Sequence, residues 1–154
     1  MQVTTKLFGT IDIQEDKIIT FENGIIGFPH CKQFTLIFEE TGEGDHKSVS
    51  WLQSLDEPAF ALPVIDPLLV KEDYGPEVKE EALGDLGTLV PENIYVLVTL
   101  TVPTQIEKMS VNLKAPIVIN TDERKAVQII LEEDFPVKYP IYELLKARKE
   151  KGGE

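Results

Sequence analysis

The run Ile94-Tyr95-Val96-Leu97-Val98-Thr99-Leu100-Thr101-Val102 limits what this chain can fold into more than any other. Successive side chains of a strand point to opposite faces. Ile94, Val96, Val98, Leu100 and Val102 therefore share one face, and Tyr95, Leu97, Thr99 and Thr101 the other. Both sets are largely apolar or β-branched, which predicts a strand at the centre of a sheet with both faces covered. Neighbouring segments keep the same period. Val127, Ile129 and Leu131 oppose Ala126, Gln128 and Ile130. The polar turn Asn120-Thr121-Asp122-Glu123 joins this run (125–131) to Ile117-Val118-Ile119 as a hairpin. Further strands are expected near 3–13, 17–21, 34–39, 49–54 and 59–65.

Prolines at 29, 58, 63, 67, 76, 91, 103, 116 and 136 break these runs. A proline cannot donate to a strand ladder, so each marks an edge, a bulge or a turn. Pro63 and Pro116 lie inside apolar runs, where the sheet is expected to bend as it curls. Many short strands with regular breaks predict an all-β fold. The expected architecture is a single, mostly antiparallel β-barrel-like domain with short helices over 1–154, in which about 137–154 form a C-terminal helix and tail. Two helices are expected: an acidic one at 79–86 halted by Gly87, and one at 140–150. In the second, Pro140 suits the first helical position and Ile141, Leu144 and Leu145 make a narrow stripe. Residues 39–48 read as a mobile hairpin loop and Gly152-Gly153-Glu154 as a frayed end.

Charge narrows the partners. Fifteen basic residues against 27 acidic ones leave -12 at neutral pH. Such a surface repels phosphate backbones and anionic membranes, and draws in basic proteins. Acidity of this kind also simply keeps a protein soluble. Carboxylates gather at Glu39-Glu40 with Glu43 and Asp45, from Glu72 to Asp85, and at Glu132-Glu133-Asp134, whereas Lys146, Arg148, Lys149 and Lys151 make the tail basic. No apolar run reaches the roughly 20 residues that span a bilayer. The start of the chain lacks a signal-peptide pattern, and the lone Cys31 makes no internal disulfide, so a cytoplasmic location is expected.

Residues for catalysis are sparse. His30-Cys31 and Asp45-His46 form a metal-like grouping, but a site needs three or four converging donors, and this spacing matches no common pattern. Ser48, Ser50, Ser54 and Ser110 lack a nucleophile-elbow context, and only two histidines exist to serve them. Gly24-Ile25-Ile26-Gly27 is too short for a phosphate loop and reads as a β-turn using glycine's positive φ. No enzyme, cofactor or metal is expected. Trp51 and Met109 are expected in the core. Phe28, at a glycine-flanked loop before Pro29, is awkward to bury and reads as a surface for protein binding.

Three motifs in order carry a family resemblance. They are Gly24-Ile25-Ile26-Gly27-Phe28, the segment Trp51-Leu52-Gln53-Ser54-Leu55-Asp56-Glu57-Pro58 with Ile65-Asp66-Pro67, and Val102-Pro103 followed by Met109 to Asn120. From about Phe8 to about Pro136 the chain resembles the flagellar assembly factor FliW family. The resemblance implies an all-β, barrel-like fold without catalysis, in a bacterial cytoplasmic protein that holds newly made flagellin. When free, such a protein is implied to bind CsrA, an RNA-binding repressor of flagellin translation; the net charge of -12 is expected to make its antagonism non-competitive. The acidic stretch Glu72, Asp73, Glu80, Glu81 and Asp85, with Tyr74 as apolar anchor, is the expected CsrA-facing surface. Phe28 is the expected flagellin-facing one. The free protein is expected to be monomeric and to bind no nucleic acid directly. The alternatives are an acidic module or chaperone for another basic or secreted protein, and a hydrolase.

Overall fold

The structure, a computed structural model, describes residues 2–38, 49–84, 86–144 and 146. Eleven strands run through these residues: β1 (Gln2–Thr5), β2 (Gly9–Asp12), β3 (Ile18–Phe21), β4 (Gln33–Phe38), β5 (Val49–Ser54), β6 (Ala61–Ile65), β7 (Ile94–Thr101), β8 (Ser110–Val111), β9 (Ile117–Asn120), β10 (Lys125–Gln128) and β11 (Tyr139–Pro140). The segment α1 (Glu80–Leu83) is a single turn of α-helix.

The strands close on themselves. β3, β4, β5, β6 and β7 pair in sequence, β7 pairs β9, β9 pairs β10, and β10 returns to β3. Among the described residues this makes a seven-stranded barrel. The β10–β3 contact, Lys125 opposite Thr20 and Ala126 opposite Phe21, is parallel, and the others are antiparallel. Closure removes the open edges that would otherwise seek partners.

β7 has the central place its alternation predicted. Tyr95 and Leu97 face the lumen with Phe21, Phe34, Leu52, Val64 and Ile117. Val98 and Leu100 face outward into a second core with Ile65, Tyr74, Val111, Leu113 and Ile141. Val96 points to a third, where Val118, Ile129 and Leu131 meet Leu86 and Leu89. Within β7 only the end residues, Ile94 and Thr101, are exposed, as is Val102 just beyond it. Each fully buried side chain of this kind contributes roughly 1.5–3 kcal/mol of transfer free energy. The outer layers are made by the irregular chain of 66–90 and by the segment after Leu131.

Pro116 breaks a strand run as expected, whereas Pro63 lies in an unbroken β5–β6 ladder. Residues 110–120 lie along one edge of β7 but split into β8 and β9, because residues 112–116 face only residues 98–99 of β7. Pro116 sits in this bulge. Pro63 lies within β6 opposite Trp51. The Ser54 amide donates to the Phe60 carbonyl. The alternation of antiparallel pairs then places Pro63 where no backbone bond to β5 is needed.

Other expectations are corrected. The strand foreseen at 3–13 is a hairpin, turned by Gly9 with φ 68° and by Thr5, whose hydroxyl donates to the Gly9 carbonyl and accepts from the Phe8 amide. The acidic helix stops at Gly84, φ 61°, well short of Gly87. Pro140 is in a strand, paired with Ser110, and the helical residues that follow are 142–144. β10 as a strand ends at Gln128, although the Ile129 and Leu131 amides still donate to the Pro116 and Lys114 carbonyls and both side chains pack in the third core. The 39–48 loop and the end of the tail lie outside the described residues.

Candidate binding surfaces

The loop motif and the Trp51–Pro58 motif meet at one end of the barrel. Gly24 has φ 69°, and a Cβ there would stand 2.5 Å from the Pro29 carbonyl oxygen, so only glycine fits. The Phe28 amide donates to the Ile25 carbonyl at 2.7 Å and Gly27 has φ 88°, which completes the expected β-turn. The turn leaves Ile26 and Phe28 exposed. Gln128 steadies it by accepting from the Ile26 amide. Phe28 stacks on Phe60, whose ring packs against the lumen core. An exposed aromatic is thereby held on a rigid base.

The second motif supplies that base. Leu52 fills the lumen. Gln53 Nε2 donates to the carbonyls of Ser54, Pro58 and Phe60, and the Ser54 hydroxyl accepts from the Glu57 amide. One oxygen of Asp56 accepts from the amides of Lys32 and Gln33 at 2.7 and 2.8 Å. These bonds shape the 54–60 turn and clamp it to the start of β4.

Glu57 then faces His30 and Cys31. Its Oε2 lies 3.3 Å from His30 Nε2 and accepts from the buried Cys31 thiol at 3.7 Å. Burial raises the Cys31 thiol above its ordinary pKa; a Ser54 hydrogen bond opposes this, and the Glu57 and Asp56 carboxylates add to it. Glu57 is the third donor that the sequence spacing did not reveal. It is 26 residues from Cys31, and only the Ser54–Glu57 turn brings it near. Asp45 and His46 lie outside the described residues. His30, the one histidine among those described, pairs with a carboxylate and with no serine hydroxyl.

The acidic surface is assembled differently. Glu72, Asp73, Glu80 and Glu81 are exposed, and Asp85 lies outside the described residues. Asp73 pairs with Lys71 at 2.8 Å, which lowers its pKa. Tyr74 is a core side chain and not an exposed anchor. It is 7% exposed, donates to the Leu113 carbonyl at 2.7 Å and meets Phe135 edge-on. Burial, helped by the Glu133 charge, pushes its pKa up to about 12. Folding also joins two acidic clusters that are separate in sequence. Glu133 accepts from the Glu77 amide, and Lys79 pairs with Glu132 at 2.8 Å. The 72–81 and 132–134 carboxylates thus share one side of the molecule.

Trp51 departs from its expected place. It lies on the outer wall, half-buried, with Phe8 edge-on at 5.9 Å. Even-numbered residues of β5 face the lumen, so the odd position turns the indole out. Its N–H is buried without a partner among the described residues. Met109 is half-buried against the second core. Toward the far end of β4, a groove of about 760 Å³ is lined by Ile11, Leu36, Ile37, Tyr95 and Ile119, with Lys17 and Arg124 among its polar residues. No helix among the described residues is long and apolar enough to cross a membrane.

A small closed barrel with a rigid apolar loop at one end and carboxylates gathered on one side has the build of a protein-binding module. Comparison with known proteins gives its family. The FliW protein family model matches residues 2–141, further at both ends than the motifs alone suggested. The flagellar assembly factor FliW of Lachnoclostridium phytofermentans is 49% identical, over 99% of this chain and 99% of its own. That of Lachnospira eligens is 48% identical, over 95% and 97%. A crystal structure of the flagellar assembly factor FliW superposes with a TM-score of 0.82 at 32% identity, over 92% of this chain and 96% of that one. The chain belongs to the FliW family.

Proposed function

We propose that this protein is a non-catalytic flagellar assembly factor of the bacterial cytoplasm. It holds newly made flagellin and, when free of it, binds CsrA and relieves CsrA's repression of flagellin translation. Family membership supports the flagellar role. The observation that carries the partner chemistry is the union of the 72–81 and 132–134 carboxylates on one side, through Lys79–Glu132 and Glu77–Glu133. An RNA-binding protein must present basic groups, and an acidic face of this extent suits them. Flagellin takes the apolar loop, with Phe28 and Ile26 as its contacts.

The two ligands of CsrA, this protein and RNA, need not share a surface. A body carrying -12, docked beside the RNA site, lowers the local potential and disfavours phosphate. At about 0.15 M salt that effect reaches roughly 8 Å, so the sites must be nearly adjacent. Reciprocity then requires RNA to weaken this protein's binding by the same factor. The test is a pull-down from bacterial lysate, followed by titration of CsrA with RNA at two fixed concentrations of this protein. RNA affinity that levels off as this protein is raised supports coupled sites. Inhibition that grows without limit means direct competition. Recovery of neither flagellin nor CsrA overturns the reading.

A further inference from the structure

We propose that His30, Cys31 and Glu57 form a three-ligand site for a divalent first-row transition ion, with Zn²⁺ the ion that their chemistry fits. The proposal is independent of the partners named above. It stands on where the three donor atoms lie.

A tetrahedral Zn²⁺ with bonds of about 2.0–2.3 Å sets its ligand atoms roughly 3.3–3.8 Å apart. His30 Nε2 and Glu57 Oε2 are 3.3 Å apart, and Cys31 Sγ and Glu57 Oε2 are 3.7 Å apart. All three donor atoms lie within 4.8 Å of one another. An imidazole nitrogen, a thiolate and a carboxylate oxygen are a borderline-soft set, which favours Zn²⁺ or Co²⁺ over Mg²⁺ or Ca²⁺.

The donors differ in access. Cys31 is fully buried, whereas the His30 and Glu57 side chains are 60% and 53% exposed. An ion therefore enters from solvent between the two exposed arms and meets the sulfur at the base. On ligation the thiol proton leaves to solvent. Three protein ligands leave a fourth position for water or for a donor from another molecule.

The supports of a built site are present around it. The Ser54 hydroxyl holds the Glu57 amide, and Asp56 holds the amides of Lys32 and Gln33 beside Cys31. The Cys31 amide donates to the Phe28 carbonyl, so a bound ion would tie the Phe28 loop to the 54–57 turn. Without a cation the same groups hold one another through the thiol hydrogen bond and the His30–Glu57 pair.

The full chain is titrated with Zn²⁺ alone and with Co²⁺ alone, in excess Mg²⁺ to occupy surface carboxylates. The expected result is one ion per chain, a melting temperature that rises with ion concentration, and a thiolate-to-cobalt charge-transfer band. His30→Ala and Glu57→Gln should each weaken binding by about tenfold or more, and Cys31→Ser should abolish the band. If Cys31→Ser fails to fold, the two exposed substitutions decide the matter. No stoichiometric binding, no thiolate band in the wild-type chain, or equal binding by His30→Ala and Glu57→Gln would overturn the site. The last result would place the ion on surface carboxylates.

Discussion

Phe28 and Phe60 stack with ring centroids 4.3 Å apart and planes 29° from parallel. Phe60 also meets the lumen residue Phe34 at 6.3 Å, so the exposed ring is coupled to the core through one intermediate. Removing Phe28 leaves Phe60 in place. Phe28→Ala should therefore cost only about 1 kcal/mol of stability, the scale of one aromatic pair, while flagellin capture in a pull-down is lost. Ile37→Glu, in the groove near the other end of β4, should leave that capture intact. The reverse outcome would move the flagellin surface to the groove.

Gly24 tests the loop itself. With φ 69° and the Pro29 carbonyl where a Cβ would go, Gly24→Ala must pay for left-handed backbone and for a shifted turn. The left-handed conformation alone costs an alanine roughly 1–2 kcal/mol. Urea unfolding should show a loss of at least about 1 kcal/mol, and flagellin capture should fall with it. An unchanged midpoint would mean that the loop relaxes freely.

Glu80 and Glu81 are exposed in α1. Reversing both to lysine should change stability by less than about 0.5 kcal/mol. Association with CsrA, followed by stopped flow, should slow and become less dependent on salt. The wild-type rate and salt slope in this variant would show that CsrA docks elsewhere.

Tyr74 predicts a stability change at high pH. Its folded pKa is pushed up to about 12, against about 10 for an unfolded chain. Between these values the folded state holds the proton and the unfolded state has lost it. Stability is then complete below pH 10 and falls as pH rises toward 12, by about 2 kcal/mol. Tyr95, also raised by burial, adds in the same direction. Tyr74→Phe should remove most of this slope in chemical unfolding followed between pH 9 and 12. It should also cost about 1–2 kcal/mol at neutral pH through the lost bond to Leu113.

Strand positions were legible in the chain because alternation is local: β7, the β9–β10 hairpin and β3 to β6 all follow from period-two patterning. Pro116 and the Gly24–Gly27 turn were legible for the same reason, since each acts through its own backbone. The acidic net charge and the motifs that carry the family were likewise plain to read. A barrel-like fold was expected from the chain, but which strands close it was decided only in three dimensions, because β7–β9 and β10–β3 join residues far apart in sequence. Tyr74 looked like an anchor beside acidic residues, and only the Leu113 carbonyl and Phe135 show why it turns inward. Trp51 looked like core, yet strand phase turned it outward against Phe8. Glu57 was one carboxylate among 27 acidic residues until the Ser54 turn set it against His30 and Cys31. Local backbone chemistry is written in neighbouring residues, whereas the meeting of distant side chains depends on how the closed barrel brings its loops together.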